Sequence, residues 1–319
     1  MIPQALYDQS AMLAAQSKTI APLVDDALAA LCTAGLYMYD IKWDGIRCLA
    51  YVTDDVVQLI NRNDVDITYR YPELVEALGK AFTGRSVVLD GEIICLKDGL
   101  PAFDRAHRRD AQASGPSASM VAAMPATLMT FDLLYNDGDD LRLMPYLGRR
   151  ALLQAEAATF TAMGLSETLQ WSRSEADGAA MWKFIRDLRL EGLIAKLKTA
   201  PYRAGRGPAW IKLKPTLSLS ALVCGYDAGK GARASTFGNL HLCLLDDQQA
   251  LTRIGKVGTG FSDADLAMIL PMLTNPQGPL IVEVEYQMVS TARQLRFPVW
   301  KGIRTDVTLT DCTTAQLDQ

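Results

Sequence analysis

The chain has 319 residues, a net charge of −4 and an apolar fraction of 49%. This length suits two domains, and the charge excludes a protein that coats nucleic acid. No apolar run approaches the roughly 18 residues that a membrane helix needs. Residues 1–17 show no secretory signal pattern. We therefore expect an intracellular, cytoplasmic protein of ordinary globular composition with no membrane segment.

The cysteines and histidines are poorly placed to act together as ligands of a metal ion. Six cysteines are scattered along the chain without a Cys-x-x-Cys pair, and the two histidines, His107 and His241, are far apart. This spacing argues against zinc, and six reduced, mostly buried thiols are the simplest expectation. Any metal should be a hard cation held by carboxylates.

Helices and strands alternate in the first two thirds of the chain. The periodicity predicts helices within 5–35, broken near Pro22, and over 73–82, 149–163 and 176–190. It predicts a hairpin of strands 36–39 and 48–52, a strand at 56–61, and a strand pair within 87–96 that turns at 90–92. Residues 110–123 should form a mobile loop. Further strands are predicted at 128–135, 192–198 and 209–214.

The pattern changes after residue 216. Short strands at 219–226, 240–245, 251–257 and 280–288 alternate with Gly-rich turns, and one helix is predicted at 263–273. About five strands and one helix favour a small Greek-key barrel of the OB type. The predicted fold class is therefore α+β, with a mixed domain of antiparallel sheets at 1–216 and a barrel domain at 217–319.

The most informative segment is 40–47, DIKWDGIR, in which Lys42 lies between apolar residues at the predicted hairpin. Burying an ammonium group is costly, and a lysine that loses its proton can attack phosphorus or a carbonyl. A solvated lysine in an ordinary hairpin explains this segment equally well. The rest of the chain has to decide between these interpretations.

Positive charge is concentrated in one part of the sequence. No acidic residue occurs between 192 and 226. Within the stretch Trp210–Pro215, strand alternation places Lys212 and Lys214 on one face. A local cationic groove on an otherwise acidic protein is expected. Its six cations are Lys196, Lys198, Arg203, Arg206, Lys212 and Lys214.

Six further stretches accompany the Lys42 segment in a fixed order. Together with it they resemble the ordered motifs of ATP-dependent DNA ligases, within the covalent nucleotidyltransferase superfamily, over about residues 20–306. The chain resembles the short two-domain form, because it has no room for a large N-terminal DNA-binding domain and lacks the cysteine cluster of NAD-dependent ligases. The six stretches are 61–63 (NRN), 89–94 (LDGEII), 130–135 (TFDLLY), 191–196 (EGLIAK), 210–215 (WIKLKP), and 295–298 (LRFP) with 302–306 (GIRTD).

The resemblance implies a nucleotidyltransferase (adenylation) domain followed by an OB-fold domain, and it implies roles for single residues. Lys42 would attack the α-phosphorus of ATP and hold AMP as a phosphoramidate. A lysine in water is protonated at neutral pH, so neighbouring cations or a dry site must favour its free amine, and Lys212 and Lys214 are the expected neighbours. Glu92 and Glu191 would serve the ribose and a Mg²⁺ (or Mn²⁺) ion. The remaining nucleotide contacts are Asp40, Ile41, Arg47, Arg62 and Phe131, with Phe131 stacked on adenine.

Two features concern the later steps. Arg203 and Arg206 lie in a Gly-rich turn, where they suit the 5′-phosphate of a nick or simply solvate a loop. Val307 follows 304–306 (RTD), where the family usually has Lys. The family's C-terminal domain swings over the nucleotide to orient pyrophosphate, so this task would fall to Arg296, Lys301 or Arg304.

The resulting prediction is a monomeric enzyme that seals nicks in double-stranded DNA with ATP through a lysyl-AMP intermediate. One alternative is an RNA ligase or an mRNA capping guanylyltransferase, although the stretches 131–134 and 295–298 favour a DNA ligase. The other is a non-catalytic nick-binding protein. The presence of Lys42, Glu92, Glu191 and both strand lysines argues against loss of catalysis.

Overall fold

The computed structural model describes residues 17–20, 24–53, 56–203, 205 and 207–318. The chain divides into two units, Met1–Lys214 and Pro215–Gln319, two residues before the boundary expected at 216. Among the described residues, no helix is long and apolar enough to cross a bilayer.

The first unit consists of two β-sheets with helices packed against them. Its helices are α1 (Val24–Ala34), α2 (Pro72–Ala81), α3 (Phe103–Asp110), α4 (Ala118–Ala123), α5 (Tyr146–Ala162) and α6 (Gly178–Asp187). Its strands are β1 (Ser17–Ile20), β2 (Tyr37–Ile41), β3 (Ile46–Thr53), β4 (Val56–Asn61), β5 (Val87–Lys97), β6 (Leu100–Pro101), β7 (Ala126–Asn136), β8 (Asp139–Asp140), β9 (Leu169–Trp171), β10 (Ser174–Glu175), β11 (Leu193–Leu197) and β12 (Gly207–Leu213).

The two sheets have separate strand orders. The first sheet runs β1-β12-β11-β2-β10, and the second runs β4-β3-β5-β7-β8, with β6 on β5 and β9 on β7. Strand β7 reads ATLMTFDLLYN and is buried over its first ten residues, as expected for a central strand covered on both faces. It therefore anchors the second sheet in the core.

Three apolar layers hold the first unit together. One lies between the second sheet and helices α2 and α5, where Leu74 and Phe160 are buried. Another lies between the first sheet and helices α1 and α6. The third layer joins side chains of both sheets, among them Tyr51, Phe131 and Trp210. This aromatic layer forms part of the wall of the cavity described below.

The Lys42 segment is not a hairpin. Strand β2 pairs with β10 and β11 in the first sheet, whereas β3 pairs with β4 and β5 in the second. The hairpin prediction was wrong because both strands are apolar and close in sequence, and sequence spacing does not reveal which sheet a strand joins. Lys42 therefore lies on the link between the two sheets.

Three other local predictions were wrong. Residues 17–20, expected to be helical, form β1 and pair in parallel with β12, while residues 1–16 lie outside the described residues. The strand pair within 87–96 is the single strand β5, in which the register shifts at Asp90/Gly91 instead of turning. The predicted loop 110–123 contains the end of α3 and all of α4, which begins with a Ser117 cap.

The second unit is built on a five-stranded antiparallel sheet. The order is β15-β14-β13-β16-β19, and β17 and β18 form a separate pair. These strands and one helix have their own apolar core, as the OB-type prediction required. The bounds are β13 (Leu217–Ala228), β14 (Phe237–Leu245), β15 (Leu251–Val257), α7 (Asp263–Thr274), β16 (Ile281–Tyr286), β17 (Met288–Val289), β18 (Leu295–Arg296) and β19 (Val299–Ile303).

The cysteine prediction was wrong for one pair. Cys224 and Cys243 form a disulfide between the neighbouring strands β13 and β14, with their Cα atoms 5.9 Å apart. Their separation of 19 residues carries no local motif, and the register shift between Val223 and Gly225 helps bring them together. The other four cysteines are free thiols, and only Cys32 is not fully buried.

Candidate active site

A cavity of about 300 Å³ lies within the first unit, and residues of both sheets line it. The first sheet and the link contribute Asp40, Ile41, Lys42, Ile194, Lys196 and Lys212. The second sheet contributes Arg47, Glu92 and Phe131. Most of the residues predicted from sequence therefore converge on one site. The other lining residues are Trp43, Gly45, Ile46, Asn61, Arg62, Asn63, Phe103 and Asp110.

Two glycines fix the position of Lys42. The backbone N–H of Lys42 donates to the carbonyl of Gly192 at 2.8 Å. Gly192 has φ +148°, and a Cβ there would lie 2.3 Å from the carbonyl oxygen of Leu213. A Cβ on Gly45 would lie 2.2 Å from the carbonyl oxygen of Ile93. Only glycine allows these close approaches, so both glycines hold the link against its neighbours.

The Lys42 amine forms an ion pair inside the cavity wall. Its Nζ contacts Oε2 of Glu191, whose Oε1 accepts from Lys214 Nζ at 2.8 Å. The side chain of Glu191 is only 8% exposed, and those of Lys42 and Lys214 are 16% and 17% exposed. A single carboxylate thus orients two ammonium groups in a mostly dry environment.

Two neighbouring groups have displaced pKa values. Burial, followed by the positive charges of Lys42, Arg47 and Lys214, lowers the pKa of Lys212 to about 8. Burial raises the pKa of Glu92 to about 7, and the carboxylate of Glu191 adds to this effect while Arg47 and Lys42 oppose it. Displaced pKa values of this kind are typical of catalytic and binding sites.

Arg47 is held by a buried carboxylate that the sequence analysis did not select. Its Nε and one terminal nitrogen both donate to Asp90, which also accepts from the Tyr202 hydroxyl. Burial, the largest single effect, lowers the pKa of Arg47, but the charge and hydrogen bonds of Asp90 together with Tyr202 and Glu92 raise it overall. The guanidinium carbon lies 4.7 Å from the centroid of the Phe131 ring.

The Asp40 carboxylate is occupied by a second buried network. It pairs with Lys196 Nζ at 2.6 Å and accepts hydrogen bonds from Tyr146 and Ser174. Lys196 also donates to the carbonyl of Phe131 at 3.1 Å. Asp40 lines the cavity, but its carboxylate is already engaged by Lys196, Tyr146 and Ser174.

The predicted cationic groove is not continuous. Lys196 is 1% exposed and paired with Asp40, and Lys198 donates to the carbonyl of Gly35. Lys212 lies in the cavity wall, and Lys214 pairs with Glu191. Lys212 and Lys214 share one face of the chain, as strand alternation requires, but Lys196 is buried in a separate network with Asp40. The described cations therefore do not form the one continuous groove that the sequence density suggested. Arg203 is exposed and outside the cavity lining, whereas Arg206 lies outside the described residues.

Three predicted cations belong to the second unit. Arg296 ends β18, with its guanidinium 5.4 Å from the Phe297 ring centroid. Lys301 pairs with Glu285 at 2.9 Å, and Arg304 pairs with Asp306 at 2.8 Å. Val307 packs against the barrel core, and this packing explains why an apolar residue occupies this position.

Helix α3 supplies two lining residues that the sequence analysis missed, Phe103 and Asp110. Asp110 pairs with Arg70 at 3.1 Å. The helix reads FDRAHRRD, and its charged composition gives no clear apolar periodicity. The weak available signal was Asp104 in the first turn with basic residues in the last turn, which suits the helix dipole.

The first unit, with its link lysine between two sheets, and the second unit, with its OB-type barrel, define a nucleotidyltransferase with an OB-fold domain. The sequence profile of the ATP dependent DNA ligase domain matches residues 11–214. The chain belongs to the ATP-dependent DNA ligase family, whose members use ATP.

Individual relatives agree with this assignment. The chain is 28% identical to a DNA ligase of Thermococcus fumicolans over 89% of its own length and 54% of that protein. It is 31% identical to the multifunctional non-homologous end joining DNA repair protein LigD of Mycobacterium tuberculosis, over 86% of its length and 37% of that protein. The crystal structure of the ligase domain of M. tuberculosis LigD matches with a TM-score of 0.52 at 27% identity, covering 94% of this chain and 97% of that domain. The chain thus spans about half or less of these curated relatives.

Proposed function

We propose that the protein seals nicks in duplex DNA with ATP, through a covalent AMP intermediate on Lys42. The observation that carries this proposal is the Lys42 amine, held by Glu191 in a cavity that also presents Arg47, Lys212 and an aromatic ring. The related proteins named as DNA ligases and as an end-joining DNA repair protein support the choice of DNA.

The first step forms the Lys42 Nζ–phosphorus bond and breaks the bond from the α-phosphorus to pyrophosphate. The attacking amine must give up a proton, and Glu191 Oε2 is the carboxylate oxygen in contact with it. Lys212 would offset the negative charge of the phosphate, because its ammonium lies in the same cavity wall. Arg47 and Phe131 would hold the nucleoside, and Arg62 and Ile41 would complete its site.

In the second step AMP is transferred from the protein to the DNA, and in the third step AMP is released. The 5′-phosphate of the nick takes AMP from Lys42, and the 3′-hydroxyl then attacks that phosphate and releases AMP. Exposed Arg203 would contact the DNA backbone, together with Arg206. Contacts to phosphate carry no sequence information, which suits an enzyme that must act on any nick.

We propose that the site also takes a divalent cation when the nucleotide is bound. Burial raises the pKa of Glu92 to about 7, so this carboxylate gains from a nearby positive charge. Among the described residues no three acidic, histidine or cysteine side chains cluster, so nucleotide phosphates would have to complete the coordination. Glu92 and Glu191 would hold Mg²⁺, or Mn²⁺, which supplies charge neutralisation at the phosphates. Excess EDTA should therefore abolish labelling of the protein by ATP, and labelling that persists in EDTA would contradict this site.

One experiment tests the whole proposal. Protein incubated with α-labelled ATP and Mg²⁺ should become labelled, α-labelled GTP should not label it, and the labelled protein should seal nicked DNA. Labelling by GTP would indicate a capping guanylyltransferase. Sealing of nicked RNA in preference to DNA would indicate an RNA ligase. Binding to nicks without labelling by either nucleotide would indicate a nick-binding protein.

A further inference from the structure

A buried phenol lies behind the cavity wall, next to the group that holds Arg47. Tyr202 is 4% exposed and follows β11 in the connection to β12. Its hydroxyl donates to Oδ2 of Asp90, the oxygen that also accepts from an Arg47 terminal nitrogen. Asp90 itself is completely buried. The three side chains therefore form a chain of hydrogen bonds from the core to the cavity.

This arrangement restricts the Arg47 guanidinium. Two of its nitrogens, Nε and one Nη, are committed to Asp90, so the plane of the group is set by that carboxylate. The Asp90 carboxylate can in turn rotate about its last bond unless its second partner fixes it. The Tyr202 hydroxyl is that partner. Through Asp90 it sets the direction in which Arg47 presents its remaining donors.

The ring of Tyr202 is fixed as well. It packs edge-on against Trp210, with centroids 5.8 Å apart, and Trp210 packs edge-on against Phe131 at 6.0 Å. The backbone N–H of Tyr202 donates to the carbonyl of Arg142 at 2.7 Å. The packing of these rings therefore fixes the position of the Tyr202 hydroxyl beside Asp90. The same packing supports Phe131, which lines the cavity.

We propose that Tyr202 is a positioning residue for the nucleotide site, acting through Asp90 on Arg47. This inference rests on the proposed function, because it assigns Arg47 to the nucleotide. Tyr202 touches no reacting atom. Its removal should therefore weaken the capture of ATP while leaving the attack by Lys42 nearly unchanged.

The test is self-adenylation of the full chain measured against ATP concentration. In Tyr202→Phe the ring and its packing stay, and only the hydrogen bond to a charged group is lost. The apparent KM for ATP should rise roughly tenfold, with the maximal rate changed less than about twofold. Tyr286→Phe is the control, because Tyr286 is also a buried tyrosine, 2% exposed, and lies on β16 outside the cavity lining. It should leave both constants within about twofold.

A double variant separates positioning from general damage to the fold. If Tyr202 acts through Asp90, adding Tyr202→Phe to Asp90→Asn should raise KM no further, because the two effects are not independent. Additive effects, an unchanged KM, or a loss confined to the maximal rate would overturn the role of Tyr202. Failure of the unaltered protein to take up label from ATP would instead overturn the proposed function, and this role with it.

Discussion

Glu191 has two partners at once, and this shapes the chemistry of the nearby lysine. One oxygen contacts Lys42 and the other accepts from Lys214. Because Lys214 holds the other oxygen, the Glu191 carboxylate keeps its orientation when Lys42 gives up its proton. Lys214 therefore preserves the geometry of the site between the protonated and the reacting state of Lys42.

Replacing Lys42 by alanine should abolish labelling by ATP. Residual labelling at a normal rate would refute the assignment of Lys42 as the nucleophile and would point to another amine near it, such as Lys212. Lys42→Arg should be equally inactive although it keeps the positive charge beside Glu191, because a guanidinium does not deprotonate in a protein. Lys183→Ala is the matched control, since Lys183 is 73% exposed and pairs with Asp187 on a helix surface.

The displaced pKa values predict a bell-shaped pH profile for self-adenylation at low ATP. Glu92 has a pKa of about 7 before a cation binds, and a bound cation would lower it, so the rate should fall as the pH drops below about 7. Lys212 has a pKa of about 8 and is positive only below it, so the rate should fall again as the pH rises through about 8. Plots of kcat/KM against pH report these free-enzyme groups.

Two variants assign the limbs of that profile. Lys212→Arg keeps its charge at all accessible pH values and should move the alkaline limb upward. Glu92→Gln should impair the reaction severely and remove the acid limb. A profile that is unchanged in Lys212→Arg would show that another group titrates on the alkaline side.

At the scale of elements, strands and amphipathic helices were predictable because their periodicity is local. Strand β4 matches its predicted bounds, and the long helix α5 and helix α2 lie close to theirs. Pairing is a non-local property, so the sequence did not show that β2 and β3 belong to different sheets. Short helices such as α3 carry too few apolar positions to show a period.

The candidate site was predictable to the extent that its residues sit in recognisable motifs. The cavity gathers Lys42, Arg47, Glu92, Phe131 and Lys212 as expected. The supporting groups behind it were not selected, because the sequence pattern around an aspartate in a strand or a tyrosine in a connection is the same whether the side chain contacts water or a buried partner. Burial and hydrogen-bond partners distinguish these cases, and both follow from the assembled sheets.

The connection between β11 and β12 carries Arg203, an exposed cation that we propose contacts DNA. Of the acid-free stretch, Lys196, Lys212 and Lys214 are engaged in the first unit's interior or cavity wall, while Arg203 is exposed. Arg203→Ala should reduce the slope of log affinity for nicked DNA against log salt by about 0.9, the value for one phosphate contact. Self-adenylation should be nearly unaffected.

The matched control for this measurement is Arg108→Ala, since Arg108 is also exposed and lies outside the cavity lining. It should leave the salt slope unchanged. An unaltered slope in Arg203→Ala would place the DNA contact elsewhere.

At the scale of the whole molecule, the two units have independent cores and different chemical content. The first unit holds the cavity with Lys42 and both predicted metal-binding carboxylates, Glu92 and Glu191. The second unit has its own apolar core, and its cations Lys301 and Arg304 are paired with carboxylates on its surface. From the family resemblance we propose that the second unit orients pyrophosphate, and Arg296 is the residue we choose to test.

We therefore expect Arg296→Ala to slow self-adenylation by roughly a hundredfold, the usual cost of removing one group that stabilises developing charge. The same variant should seal a nick that already carries AMP on its 5′-phosphate at a nearly normal rate, because pyrophosphate takes no part in that step. Arg293→Ala is the control, since Arg293 lies just before β18 and pairs with Asp318 at 3.0 Å. Equal loss of both steps in Arg296→Ala would mean that Arg296 serves DNA binding or the fold of the barrel, and would leave the first unit to complete the first step with its own cations.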